Sequence, residues 1–183
     1  MDVIIVVDMQ VGMLDDAPKY DLPGLVDRIN ALTAMVRAED GKVIWIRHCG
    51  RAGDGFERNS AGWDFLPELI RRHDDIVVEK SLNDPYVGTD LKRILDELAP
   101  RRVLIAGWAT DFCVDATVRS TVSCDQDVVV VSDGHTLSDR PHLDAPAVIA
   151  HHNWVWSNLI TNRSLSVRPA NELLAARAGM AKT

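Results

Sequence analysis

Long apolar runs are missing from this chain of 183 residues. The longest, at residues 3–7 and 128–131, fall far short of the ~20 residues that a membrane-spanning helix needs. No membrane partner is therefore expected. Positive charge is also scarce: 20 Lys and Arg stand against 27 Asp and Glu, a net charge of −7. That balance offers nucleic acid and anionic lipid surfaces little to bind. Cysteine is rare, with Cys49, Cys113 and Cys124 the three present. An odd number at these spacings suits neither a disulfide framework nor a metal cage, so reduced thiols in the cytoplasm are the expectation. The start, Met1-Asp2-Val3, has neither the basic stretch nor the small-residue cleavage site of a secretory leader. At 46% hydrophobic and 26% charged residues the composition is that of an ordinary globular protein. The partner to look for is a small molecule.

Five short apolar runs recur, at residues 3–7, 43–47, 76–79, 103–107 and 128–132. They are rich in β-branched residues and do not alternate, the signature of strands buried on both faces. Between them lie helical patterns at residues 22–38, 89–98, 113–124 and 145–159. A sixth strand at 165–167 and a last helix from Ala170 complete the set. The alternation predicts an α/β fold with a parallel sheet covered on both faces, and the absence of repeats or linkers predicts one domain over residues 1–183. The one long irregular stretch, residues 48–60, is rich in Gly, Arg and Asp. It reads equally as a binding loop or as a surface excursion.

In open α/β sheets ligands bind beyond the carboxyl ends of the strands. Asp8 follows the first strand, Lys80 the third, and Cys113 lies shortly after the fourth. An acid, a base and a thiol thus share one rim. Singly, each has an ordinary reading: Asp8 as a turn residue, Lys80 as half of a surface ion pair, Cys113 as a small apolar filler. Together they suggest nucleophilic chemistry.

The segments Val6-Val7-Asp8-Met9-Gln10, Val78-Glu79-Lys80 and Gly88-Thr89-Asp90-Leu91 stand in order before Gly107-Trp108-Ala109-Thr110-Asp111-Phe112-Cys113-Val114-Asp115-Ala116-Thr117. This set resembles the isochorismatase-like cysteine hydrolase family. The resemblance implies a three-layer α/β/α fold whose six-stranded parallel sheet has the order 3-2-1-4-5-6. It also implies an Asp8–Lys80–Cys113 triad acting on C–N bonds of small amides, and an oxyanion hole from the backbone N–H groups of Ala109 and Cys113. A cis bond between Trp108 and Ala109 belongs to the same implication. Shifting a proton from a free thiol to an ordinary carboxylate is uphill by roughly 6 kcal/mol. A helix start at Cys113 and the ammonium of Lys80 are expected to favour the thiolate.

No cofactor is expected. Nicotinamidase-type members of the resembled family carry a metal-binding Asp-x-His pair after the second strand, whereas this chain reads His48-Cys49-Gly50, with Asp54 and Glu57 as the oxygen ligands that could join His48. Asp111 is expected to cap the helix, Asp133 to fix a turn after the fifth strand, and Met13, Leu14, Trp63 and Trp108 to wall the pocket. Residues 84–87 and the 48–60 loop are expected to set specificity. Trp154 and Trp156, beside His151 and His152, suggest a packing or subunit-contact face and hence a homo-oligomer. Two other functions fit the same sequence: cleavage of a vinyl ether, as in true isochorismatases, and a binding module without activity.

Overall fold

The computed structural model describes residues 1–15 and 17–180, without the side chains of 177–180. Its strands are β1 (Asp2–Val7), β2 (Lys42–His48), β3 (Ile76–Lys80), β4 (Arg102–Trp108), β5 (Val128–Thr136) and β6 (Leu165–Arg168). All pair in parallel, in the order β3-β2-β1-β4-β5-β6. Five helices accompany them: α1 (Leu22–Ala38), α2 (Leu91–Leu98), α3 (Asp115–Ser123), α4 (Ala145–Ser157) and α5 (Ala170–Met180).

The apolar runs are continuous because both faces of the sheet are covered. Ile4, Val6, Trp45, Leu104 and Val131 pack beneath α1 and α5. Val3, Ile5, Ile46, Val103, Ile105 and Val130 pack beneath α2, α3 and α4. Burial of one such side chain stabilises by ~1.5–3 kcal/mol, which fixes the centre of the sheet and leaves its carboxyl rim to polar residues.

Two backbone features shape that rim. Gly107 has φ +134, and a Cβ there would lie 2.2 Å from the Val7 carbonyl oxygen, so only glycine lets β4 approach β1 at this level. Asp8 follows β1 at φ 51, in the left-handed region that Asp tolerates better than most residues. Beyond it the Gln10 side chain continues the ladder. Its Oε1 accepts the His48 N–H at 2.7 Å, and its Nε2 donates to the carbonyls of His48 at 3.0 Å and Trp63 at 2.9 Å.

The fifth strand runs on to Thr136, past the apolar stretch that marks it in the sequence. Its pairing with β4 shifts between Ile105–Val130 and Gly107–His135, an irregularity that holds Asp133 inside the strand rather than in a turn. Asp133 Oδ1 accepts the Ala170 N–H at 2.8 Å and so tethers the start of α5.

Candidate active site

Lys80 ends the edge strand β3, two places from β1 in the sheet. Its long stem crosses above the end of β2 and closes the distance that strand spacing alone leaves open. The ammonium Nζ lies 2.6 Å from Asp8 Oδ2 and 3.3 Å from Cys113 Sγ. Both side chains of the ion pair are sealed from solvent, at 0% and 1% exposure.

Cys113 sits not at the start of a regular helix but inside a π turn, Thr110–Val114, that leads into α3. The N–H groups of Phe112 and Val114 both return to the Ala109 carbonyl at 3.1 Å, and the bond between Trp108 and Ala109 is cis, as the resemblance implies. Asp111 does not cap this turn. Its carboxylate instead receives Arg140 in a two-point pair at 2.8 and 2.7 Å.

Burial dominates the electrostatics. It pushes the Asp8 carboxyl above its ordinary pKa, against the pull of Lys80. It also pushes the Cys113 thiol up to about 12, helped by the Asp8 charge and opposed by Lys80. Burial thus opposes ionisation of the thiol while Lys80 acts the other way, as expected of it, and the carboxylate beside them is made more basic by desolvation.

A cavity of about 190 Å³ opens against the thiol, lined by Asp8, His48, Asp54, Phe56, Asn83, Trp108, Ala109, Phe112 and Cys113. Of the expected wall residues Trp108 is here. Met13 is fully buried in the α1-side core, because its 3-10 turn folds inward. Leu14 faces a separate apolar groove beside α1. Trp63 lies beneath the Arg47 guanidinium, 3.4 Å from its ring centroid, and donates its indole N–H to Cys49 Sγ at 3.1 Å.

Asn83 is a member of the site that the sequence did not single out. Cys113 Sγ lies 3.7 Å from its Oδ1. The segment that carries it is fastened to α3, with Ser120 donating to Asp84 at 2.6 Å and Tyr86 to Thr121 at 2.9 Å. The only trace in the sequence is its place three residues after Lys80.

Loop residues 50–57 fold over the other side, joined by a bridge between Gly50 and Glu57. Asp54 and Glu57 accept backbone N–H groups of this loop. Among the described residues no three His, Cys, Asp or Glu side chains converge as metal ligands would.

The family description Isochorismatase domain matches residues 2–156. The chain belongs to the isochorismatase family. Streptothricin hydrolase of Streptomyces noursei is 25% identical over 139 residues, covering 75% of this chain and 50% of that protein, so the chain spans about half the length of that relative. Ureidoacrylate amidohydrolase RutB of Klebsiella pneumoniae subsp. pneumoniae is 25% identical over 167 residues, covering 71% of each. A cysteine hydrolase structure from Pseudomonas syringae pv. phaseolicola superposes with a TM-score of 0.84 at 22% identity, over 97% of this chain and 92% of that one. The likeness of fold thus extends beyond the matched family region to β6 and α5.

Proposed function

We propose that this hydrolase cleaves a C–N bond of a small amide through a thioester at Cys113. The observation that carries the reading is the sealed contact of Lys80 with both Asp8 and Cys113, at 2.6 and 3.3 Å. Asp8 takes the proton from the thiol as sulfur attacks the carbonyl carbon, and a tetrahedral oxyanion forms. Because the thiol rests near 12, proton loss and attack are coupled rather than separate steps. The carboxyl proton then passes to the departing nitrogen, the C–N bond breaks, and the thioester remains. Water, deprotonated by Asp8, attacks the thioester, releases the acid and returns the proton to sulfur. Backbone N–H groups of Ala109 and Cys113 are the assigned donors to the oxyanion, each worth two to three decades in rate on the scale of such donors. The streptothricin hydrolase and amidohydrolase relatives support the bond type.

The test is a panel of small amides and ureas assayed for released ammonia. Cys113→Ala is expected to lower kcat by at least about two to three decades with an unchanged unfolding profile. Mass spectrometry of quenched turnover should find an acyl adduct on Cys113. Full activity in Cys113→Ala would remove the thioester from the mechanism.

A further inference from the structure

The cavity beside Cys113 holds one negative charge that the proposed reaction does not use. Asp54 lines it together with Phe56, Trp108 and Phe112. Its carboxylate is fixed from behind: Oδ2 accepts the Arg51 N–H at 2.6 Å and Oδ1 the Phe56 N–H at 2.9 Å. Those backbone bonds, the Phe56 one foremost, hold its pKa below the usual carboxylate range. Gly50 makes the room. A Cβ at that position would fall 2.1 Å from Asp54 Oδ1.

The other charges around the cavity are matched or absent. Lys80 is paired with Asp8, and Arg140 at the rim with Asp111. His48 is kept neutral, since burial and then the Lys80 charge push its pKa down. Arg51 is felt by Asp54 through space, but its side chain is not part of the lining. The lining therefore sums to a single negative charge. In the same lining, Phe56 and Trp108 lie nearly parallel, with ring centroids 5.8 Å apart at 17°. Aromatic faces attract cations through the ring quadrupole.

We propose that the substrate is a small amide bearing a positively charged group, an ammonium or a guanidinium, held by Asp54 and the Phe56–Trp108 pair while its carbonyl lies against Cys113. The amide half of this proposal rests on the function proposed above; the charge preference does not. A substrate with a carboxylate, as the name ureidoacrylate amidohydrolase implies for that relative, would meet Asp54 as a like charge and be disfavoured.

The charge preference is read without turnover, from the labelling rate of Cys113 in a Cys49→Ser, Cys124→Ser background. Three methanethiosulfonates serve as probes, ending in an ammonium, a neutral methyl or a sulfonate. The neutral rate removes differences in thiol reactivity between variants. We expect the ammonium probe to react about tenfold faster than the sulfonate. The ratio should fall at least about threefold in Asp54→Asn, survive in Asp54→Glu, and shrink as salt rises from about 20 mM to about 500 mM. The same ratio in Asp54→Asn as in the parent, or a parent ratio near one, overturns the preference. Should Asp54→Asn fail to fold, a parent ratio indifferent to salt overturns it as well. The amide half is read from ammonia release with 3-aminopropanamide, butanamide and succinamate. A kcat/KM about tenfold higher for the cationic amide, lost in Asp54→Asn, supports the proposal. Equal rates for all three overturn it. Charge-selective labelling with no ammonia from any amide removes the amide half and the function proposed above, and leaves a cation-binding cavity.

Discussion

At the scale of single residues, the site is built from charges that burial penalises. The Asp8–Lys80 pair is sealed from water, so each member depends on the other. Removing one partner of a buried pair costs about 3–5 kcal/mol, since the survivor is left uncompensated. Lys80→Met is expected to lose stability of that order and all measurable turnover, as judged by urea denaturation and ammonia release. Lys80→Met with Asp8→Asn should recover most of the stability and none of the activity. The thiol carries its own signature. With a resting pKa of about 12, the thiolate fraction rises tenfold for each pH unit below that value. Alkylation of Cys113 by iodoacetamide, followed by mass spectrometry in the double-serine background, should climb steadily through pH 7–10 without a plateau. A plateau near pH 8 would show an ordinary thiol. Asp8, Lys80 and Trp108 were legible because each directly follows or closes an apolar run, and Cys113 because it lies shortly after the fourth run on the same rim. Asn83 was not, because its approach to the sulfur depends on loop contacts to α3 that no spacing encodes. Met13 and Trp63 misled for the opposite reason: an apolar side chain near a rim looks the same whether it faces the cavity or the core.

Among the elements, β5 departs most from what its sequence suggests. Its first half, residues 128–132, is Val-rich and reads plainly as a buried strand, whereas Asp133-Gly134-His135-Thr136 is polar and reads as the turn that follows. That polar half remains in the sheet because its side chains find partners. His135 is buried, with Nδ1 2.9 Å from Thr110 Oγ1 and Nε2 3.1 Å from Asn153 Oδ1, and Asn153 Nδ2 donates to the Ser132 carbonyl at 2.9 Å. With the Asn153 oxygen as acceptor, Nε2 carries the proton and the Thr110 hydroxyl donates to Nδ1. A neutral imidazole thus braces the first residue of the π turn that holds Cys113. Burial pushes the His135 pKa down to about 4 from an ordinary 6.5. Between those values the unfolded chain binds a proton that the folded one refuses, so this contribution is complete above pH 6.5 and is lost as pH falls towards 4. The loss amounts to about 3 kcal/mol at most. Urea midpoints at pH 7.5 and 5 should therefore separate in the natural protein more than in His135→Gln, which cannot titrate. The π turn itself escaped sequence reading, since one extra residue in a turn leaves no periodic trace over five positions. Trp156 is a similar case. It is fully buried and donates its indole N–H to Asp115 Oδ1 at 2.8 Å, which leaves Trp154, 66% exposed, as the surface tryptophan of α4.

For the molecule as a whole, the strand order was legible only through resemblance; apolar runs announce strands but not their neighbours. The two-sided cover was legible from composition, and α5 is part of it. Ala170 and Leu173 are buried in the α1-side core, and Asp133 fastens the helix start. A chain ending after Arg168 exposes that face and should lose at least about 3 kcal/mol in urea unfolding. The site, built on β1, β3 and the turn after β4, should keep its activity below the new midpoint. Lys80 adds a consequence of another kind. It belongs to the outermost strand, yet its partners sit on β1 and beyond β4, 72 and 33 residues away along the chain. The β1–β4 pairing that brings Asp8 beside the Cys113 turn spans still more chain, 100 residues from Asp2 to Arg102, and the entropy of closing such loops must be met before any of these contacts gives something back. The three side chains meet only when the edge strand and the central β1–β4 pair are both in place, which makes recovery of turnover during refolding a clock for completion of the whole sheet.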